Sequence, residues 1–146
     1  MNVKLPYSKE DFTVPHNLYI IGTMNTTDRS VGGIDYAVRR RFAFYTIPSQ
    51  WCVIESFYGE REDDKKQAML LFNSVKKYIE SEKATVDMDI DDLMVGHSYF
   101  MAEKGELPIR WTYEIYPLLN EYYKDGICMK VPPKDMNAFI NAYKSE

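Results

Sequence analysis

The chain has few cysteines and no long apolar run, and these absences exclude several classes of protein. It contains two cysteines, Cys52 and Cys128, far apart and in no CxxC pair. A disulfide framework and a cysteine zinc finger are therefore excluded, and the reduced thiols of a cytoplasmic protein are expected. No stretch reaches the roughly 18 apolar residues that span a bilayer, and the N-terminus has no signal-peptide pattern.

A strong excess of one charge is also missing. The 18 Lys and Arg residues against 22 Asp and Glu residues give a net charge of −4. This balance excludes a strongly basic nucleic-acid-binding protein and a polybasic membrane-binding protein. Apolar residues make up 45% of the chain and charged residues 27%, as in ordinary globular proteins, and 146 residues fit about one domain.

The first third of the sequence has the pattern of one α/β unit. A continuous apolar run at residues 18–21 is typical of a strand that is buried on both faces of a parallel sheet, and we predict this strand at 17–21. Alternating residues at 42–45 predict a second strand, and helical spacing predicts a short helix at 33–40 between them. The two strands are expected to be parallel neighbours with a right-handed crossover. The edge of this unit needs more sheet than the chain supplies.

From Ser49 onward the apolar spacing becomes helical, so we predict an α/β fragment at 1–48 and a mainly helical subdomain at 49–146. Helices are predicted from Trp51 to Gly59, over residues 62–82, from Pro108 to Gly126 with a kink at Pro117, and from Pro132 onward.

The polar loop that follows the first predicted strand holds the candidate site. In open parallel sheets, ligands meet the carboxyl ends of the strands. The amide of Asn25 can hold a water or a phosphate oxygen there, and arginines 39–41, at the end of the short helix, can project a positive fork toward a phosphate. Turn and cap chemistry explains the same residues without a ligand, and residue types alone favour that explanation.

Specific motifs in the chain resemble the AAA+ module of McrB-like GTPases, the motor subunits of modified-cytosine-specific restriction systems. The motifs are NLYIIGTMNTTDRS at 17–30, IDYAVRRRF at 34–42, GHSYF at 96–100 and YEIYPLLNEY at 113–122. With LPYS at 5–8 and FTVP at 12–15, which also resemble the family, the resemblance extends over nearly the whole chain. Residues 61–92 show no family pattern beyond a helix. The fold that this resemblance implies is the end of an AAA+ core sheet followed by a helical lid.

The resemblance implies roles for residues of the first two motifs. Asn25 corresponds to the sensor-1 residue, which orients the attacking water. Asp28 and Arg29 fall in a family motif that either contacts the nucleotide or joins subunits. Arg40 and Arg41 are the arginine-finger candidates, of which one is expected to reach the neighbouring subunit's nucleotide.

Two lid residues also receive roles from the resemblance. Arg110 lies where many AAA+ lids carry a sensor-2 arginine. His97 is expected at the junction of lid and core, near the base of the bound nucleotide.

The sequence departs from a whole AAA+ module because it has no GxxxxGK[ST] motif and no apolar strand ending in Asp-Glu. Both would precede Met1 in a complete module. We therefore expect the second half of a motor, as an expressed fragment, a truncated reading frame or one piece of a split protein. GTP and Mg²⁺ are expected in the full-length assembly, and this fragment alone is expected to bind neither and to be inactive.

The expected partners are copies of the full-length protein in a ring, a separate nuclease subunit and DNA, with no membrane. Two alternatives stay open: a fragment of an ATP-dependent AAA+ remodelling protein, or a non-catalytic assembly module in which Asn25, Arg40 and Arg41 are inert. No metal site is predicted, because the aspartates near Asp89 lack the Gly and Glu of a calcium loop.

Overall fold

The computed structural model describes residues 3–23, 36–84 and 89–144. Its strands and helices, in chain order, are β1 (Val3–Lys4), β2 (Asp11–Phe12), α1 (Tyr36–Arg39), α2 (Trp51–Tyr58), α3 (Glu62–Glu82), α4 (Ile90–Leu93), a 3₁₀ turn (His97–Phe100), α5 (Leu107–Arg110), a π-helical segment (Trp111–Ile115), α6 (Tyr116–Lys124) and α7 (Met136–Tyr143). Of these helices, none is long and apolar enough to cross a membrane.

The predicted parallel strands at 17–21 and 42–45 are not confirmed. Both segments lack regular secondary structure, and the two-stranded sheet of the described residues is instead the antiparallel pair β1–β2. Tyr19, Ile21 and Tyr45 are 86%, 93% and 89% exposed. A strand exists only where a neighbour takes up its backbone hydrogen bonds, and these apolar segments find no such neighbour among the described residues. The short helix between them is seen in its described part, α1.

The predicted helical part is confirmed, and it contains the core. The buried apolar residues of the described chain run from Ile54 to Ile140, and the largest of them come from α2, α3, α4, the 3₁₀ turn, the π-helical segment, α6 and α7, with Val95 between α4 and the turn. Helix α3 has the predicted bounds and presents Leu71, Val75 and Tyr78 to this core. Its neighbours α2 and α7 pack against it. The amphipathic spacing therefore led to the correct helices wherever the partner surface lies in the same chain.

The kink predicted at Pro117 takes the form of a π-helical segment. The N–H of Tyr116 donates to the C=O of Trp111, five residues earlier. Pro117 has no N–H to offer to the carbonyl of Tyr113, so the regular bonding pattern cannot pass this point. The wider turn accommodates that loss without ending the helix, as π-bulges do.

The last helix begins later than predicted. Helix α7 starts at Met136, after an N-cap at Asp135 whose carboxylate accepts a hydrogen bond of 2.8 Å from the N–H of Ala138. Pro132 and Pro133 lie in the connection before it. An aspartate cap satisfies one of the free N–H groups of the first turn, which proline cannot do.

Candidate functional site

The sensor-like loop falls outside the described residues. Asn25, Asp28 and Arg29 all belong to the segment 24–35. Their assignment stays a prediction from the resemblance.

The arginine corner at the end of α1 contains three exposed side chains in different situations. The Arg41 guanidinium donates to the C=O of Ala37 at 3.1 Å, four residues earlier. The Arg39 guanidinium lies 5.7 Å from the centroid of the Phe44 ring. Arg40 has no hydrogen-bond or ion-pair partner among the described residues. Of the two finger candidates, Arg41 is thus tied to its own helix, whereas Arg40 has no such bond to the described residues.

The turn that carries His97 is held from its C-terminal side. His97 is half-buried, and the N–H of Tyr99 closes the turn on the C=O of Gly96 at 3.1 Å. The buried hydroxyl of Tyr58 donates to the C=O of Phe100 at 2.7 Å and accepts from the N–H of Ala102 at 3.1 Å. A single side chain from α2 therefore satisfies two buried backbone groups next to the turn.

Arg61, the residue before α3, also contacts the chain that follows the His97 turn. Its guanidinium lies 4.9 Å from the ring centroids of both Phe57 and Tyr58. It also donates to the C=O of Phe57 at 3.3 Å and of Ala102 at 3.4 Å, and it lies 3.7 Å from the Glu103 carboxylate. Aromatic residues three and four positions earlier were the available signal, because an arginine stacks readily on aromatic rings that lie close to it in sequence.

Arg110, the second lid residue with a predicted role, is the last residue of α5. It pairs with the Glu114 carboxylate at 3.1 Å, and its side chain is 33% exposed. Helix α5, which carries Arg110, contacts the His97 turn. Burial raises the pKa of the Tyr58 hydroxyl, while the charges of Arg61 and Arg110 act in the opposite direction. The structure therefore brings Arg110 and the His97 turn together around Tyr58.

No hydrogen bond or ion pair within the described ranges joins the side chains of the arginine corner to the His97 turn or to Arg110.

A buried polar network lies near the other end of α3, and sequence reasoning missed it. The side chain of Glu82 is 5% exposed, and its carboxylate accepts from Lys130 Nζ at 2.8 Å and from the Tyr143 hydroxyl at 3.5 Å. The Tyr78 hydroxyl donates to the C=O of Lys130 at 2.6 Å. Burial raises the pKa values of Tyr78 and Cys128, which keeps both groups protonated at neutral pH.

This network joins α3, the segment before α7, and α7 itself. Its bonds are satisfied within the protein, so we assign it a structural role. In the part of the chain that the structure describes, no three His, Cys, Asp or Glu residues are grouped to hold a metal ion.

Comparison with known proteins agrees with this architecture. Residues 71–128 match the family model of the McrB alpha-helical lid domain, a range that includes the His97 turn and Arg110. The chain is also 36% identical over 140 residues to the Type IV methyl-directed restriction enzyme EcoKMcrB subunit of Escherichia coli K12, a match that covers 85% of this chain. The chain spans 30% of the length of that relative. These matches confirm the resemblance: the chain is McrB-like, and its helical part contains an McrB-type alpha-helical lid domain.

Proposed function

We propose that this chain supplies the sensor, arginine-finger and lid elements of an McrB-like AAA+ GTPase in a modification-dependent restriction system. The observation that carries the proposal is the match to the restriction subunit across 85% of the chain. In the whole assembly, GTP and Mg²⁺ bind to phosphate-cradling and carboxylate elements outside this sequence. Copies of the full-length protein form a ring, which drives DNA translocation and cleavage by a separate nuclease subunit.

We propose that residues 1–48 form an end piece of the AAA+ core and that residues 49–146 form the lid. The support for this proposal is the distribution of burial, since the buried apolar side chains of the described residues begin at Ile54. The exposed apolar residues before that point have the composition of a sheet that is completed by other strands.

Arg40 is the proposed finger, and Arg41 is the arginine that holds the helix end. The hydrogen bond from Arg41 to the C=O of Ala37 supports this division, because it satisfies a carbonyl in the last turn of a helix. A finger acts on charge that develops in the transition state, so its side chain must be free to cross to a neighbouring nucleotide. Asn25 is the proposed sensor that orients the attacking water, with Asp28 and Arg29 beside it.

His97 and Arg110 are the proposed lid contacts to the nucleotide. Their support is that both lie in the matched lid range and on adjoining elements. The pair of Arg110 with Glu114 is partly exposed, and such a pair contributes only about 0–1 kcal/mol. Arg110 can therefore exchange Glu114 for a phosphate at little cost.

A chimera tests this function. Residues 1–146 replace the corresponding region of the Escherichia coli relative, and restriction of methylated DNA and turnover of GTP and ATP are measured, with the unaltered relative as reference. We expect the chimera to restrict methylated DNA and to prefer GTP. A chimera that folds and assembles but has neither restriction nor nucleotide turnover would contradict the proposal.

A mixing experiment tests the finger. Chimeric subunits with Arg40→Ala and an intact phosphate-binding loop are mixed with subunits that have Arg40 and a disabled phosphate-binding loop. Turnover should return in the mixture, because the finger acts from the neighbouring subunit. Failure to restore turnover, in subunits that still assemble, would refute a trans-acting Arg40.

A second candidate function is a non-catalytic assembly module, and the exposed apolar side chains favour it. Tyr19, Ile21 and Tyr45 are more than four-fifths exposed, and apolar surface of this kind marks contact sites. The same chimera separates the two functions. An assembly module would tolerate Arg40→Ala with unchanged turnover, but it would lose its oligomeric state on Ile21→Asp.

A further inference from the structure

We propose that Tyr58 and Arg61 are positioning residues that fix the His97 turn, and that through this turn they set how tightly the lid holds a nucleotide. The second half of this inference rests on the proposed function; the first half does not. Neither residue lies in the lid range that the family model matches, 71–128.

Tyr58 fixes the C-terminal end of the His97 turn through two hydrogen bonds. Its hydroxyl is both donor and acceptor, to the C=O of Phe100 and from the N–H of Ala102. Between these two groups, the N–H of Met101 closes the 3₁₀ turn on the C=O of Ser98 at 3.2 Å, so the two groups bound by Tyr58 lie at the point where the turn ends. Phe100 and Ala102 are buried, and buried backbone groups without partners are strongly disfavoured. The Tyr58 hydroxyl therefore holds the chain where it leaves the turn.

Arg61 acts on the same stretch from a second direction. It donates to the C=O of Ala102 and stacks on the Tyr58 ring, so it holds both the turn's exit and the side chain that anchors it. Phe100 also packs edge-on against Phe72 of α3, with ring centroids 5.2 Å apart. The end of α2 and both the start and the middle of α3 thus fix the C-terminal side of the turn.

The residues of the turn itself are more accessible than the chain on either side of it. His97 is half-buried and Ser98 and Tyr99 are exposed, whereas Val95 before the turn and Phe100 at its end are buried. An accessible turn between two buried positions is suited to present His97 to a ligand while its backbone stays fixed. Loss of the anchor would let the imidazole move relative to Arg110, whose helix contacts the turn.

The first test uses the 146-residue chain and NMR. Tyr58→Phe removes the hydroxyl and keeps the ring. Tyr78→Phe is the matched control, because the Tyr78 hydroxyl also donates to a backbone carbonyl, that of Lys130, in the other polar cluster. Amide hydrogen exchange of Ala102 and the imidazole resonances of His97 are recorded in both variants.

Tyr58→Phe is expected to lower the protection of the Ala102 amide by about tenfold, as expected for one buried hydrogen bond, and to shift the His97 imidazole resonances. Tyr78→Phe should change neither the protection of the Ala102 amide nor the His97 imidazole resonances, whatever it does to overall stability. Equal effects of the two variants on His97, or no effect of Tyr58→Phe, would overturn the positioning role.

The second test uses the chimera with the relative's remaining sequence. Tyr58→Phe is expected to raise KM for the nucleotide about fivefold or more, with kcat nearly unchanged, because it weakens binding rather than transition-state stabilisation. Tyr78→Phe should leave KM within about twofold. If the NMR result holds but KM does not change, the turn is fixed by Tyr58 without serving nucleotide binding, and the inference fails. If the parent chimera has no turnover at all, the proposed function fails, while the NMR result stands.

Discussion

Removal of the Phe139 side chain is the sharpest test of the lid's packing. Phe139 is fully buried on α7. Its ring centroid lies 4.6 Å from that of Trp111, 5.2 Å from that of Tyr143 and 5.7 Å from that of Tyr78. It therefore connects α7 to α3 and to the π-helical segment. Helix α7 lies beyond the matched lid range, so the variant tests whether the lid extends to the end of the described chain.

The expected loss of stability is large relative to the total. Replacement of a buried Phe by Ala costs about 3–5 kcal/mol, from lost transfer free energy and the cavity that remains. A domain of about 100 residues has a free energy of unfolding of about 5–15 kcal/mol. Each kcal/mol lowers Tm by about 4–8 °C in a domain of this size, so Phe139→Ala should lower Tm by roughly 12–40 °C. Phe139→Leu keeps most of the volume and should cost about 1–1.5 kcal/mol.

Urea unfolding followed by tryptophan fluorescence and far-UV circular dichroism measures these losses. The ring of Trp111 contacts Phe139 directly, so its emission reports on this part of the core. Asn141→Ala, at an exposed position of the same helix, is the control and should change the free energy of unfolding by less than about 0.5 kcal/mol. A loss below about 1.5 kcal/mol for Phe139→Ala would refute the packing of α7 described above.

Four further outcomes are expected. The isolated chain should bind GTP with a Kd weaker than about 1 mM, or roughly −4 kcal/mol, because phosphate-cradling and metal-binding elements are missing from its sequence; micromolar binding by calorimetry would contradict this. In the chimera, Arg40→Ala should lower kcat by about 10³-fold or more with little change in KM, whereas Arg41→Ala should act mainly on stability; kcat within twofold of the parent for both would refute the finger. Burial raises the pKa values of Cys128 and Tyr78 above those of the unfolded chain, so the folded state holds these protons more tightly and the free energy of unfolding should fall as pH rises above about 8.5; urea titrations should show the first part of this fall flattened by Cys128→Ala. Asp135→Ala should cost about 1 kcal/mol through loss of the N-cap, and Asp135→Asn much less; equal losses would argue against the cap.

The helices of the lid could be predicted from the sequence because their partners lie in the same chain. The spacing of Leu71, Val75 and Tyr78 defines one face of α3, and the structure buries that face. The strands could not be tested in the same way, since residues 17–21 and 42–45 carry a pattern that is satisfied only by neighbouring strands. A periodic pattern states which face is apolar, but it does not supply the surface that covers it.

The polar parts of the lid were harder to predict than its apolar core. The sequence places Arg61 and Glu82 in charged stretches, where solvent exposure is the usual outcome. In the fold, Arg61 lies on two aromatic rings and Glu82 is buried under Lys130 and Tyr143. The position of Glu82 depends on residues that are distant in sequence, and that of Arg61 depends on the aromatic rings beneath its guanidinium. The pattern of charges along the chain contains no information about either kind of neighbour.

The arginine corner shows what backbone geometry adds to a motif. In the sequence, Arg40 and Arg41 are equivalent candidates, because each ends the same short helix and each has the same guanidinium. In the fold, they differ by one hydrogen bond: Arg41 closes on the C=O of Ala37, four residues earlier, as a side chain that satisfies a helix C-terminus does. Its neighbour is turned by about 100° around the helix axis and points elsewhere. This difference is why we propose Arg40, and not Arg41, as the finger, and the Arg40→Ala mixing experiment tests that choice.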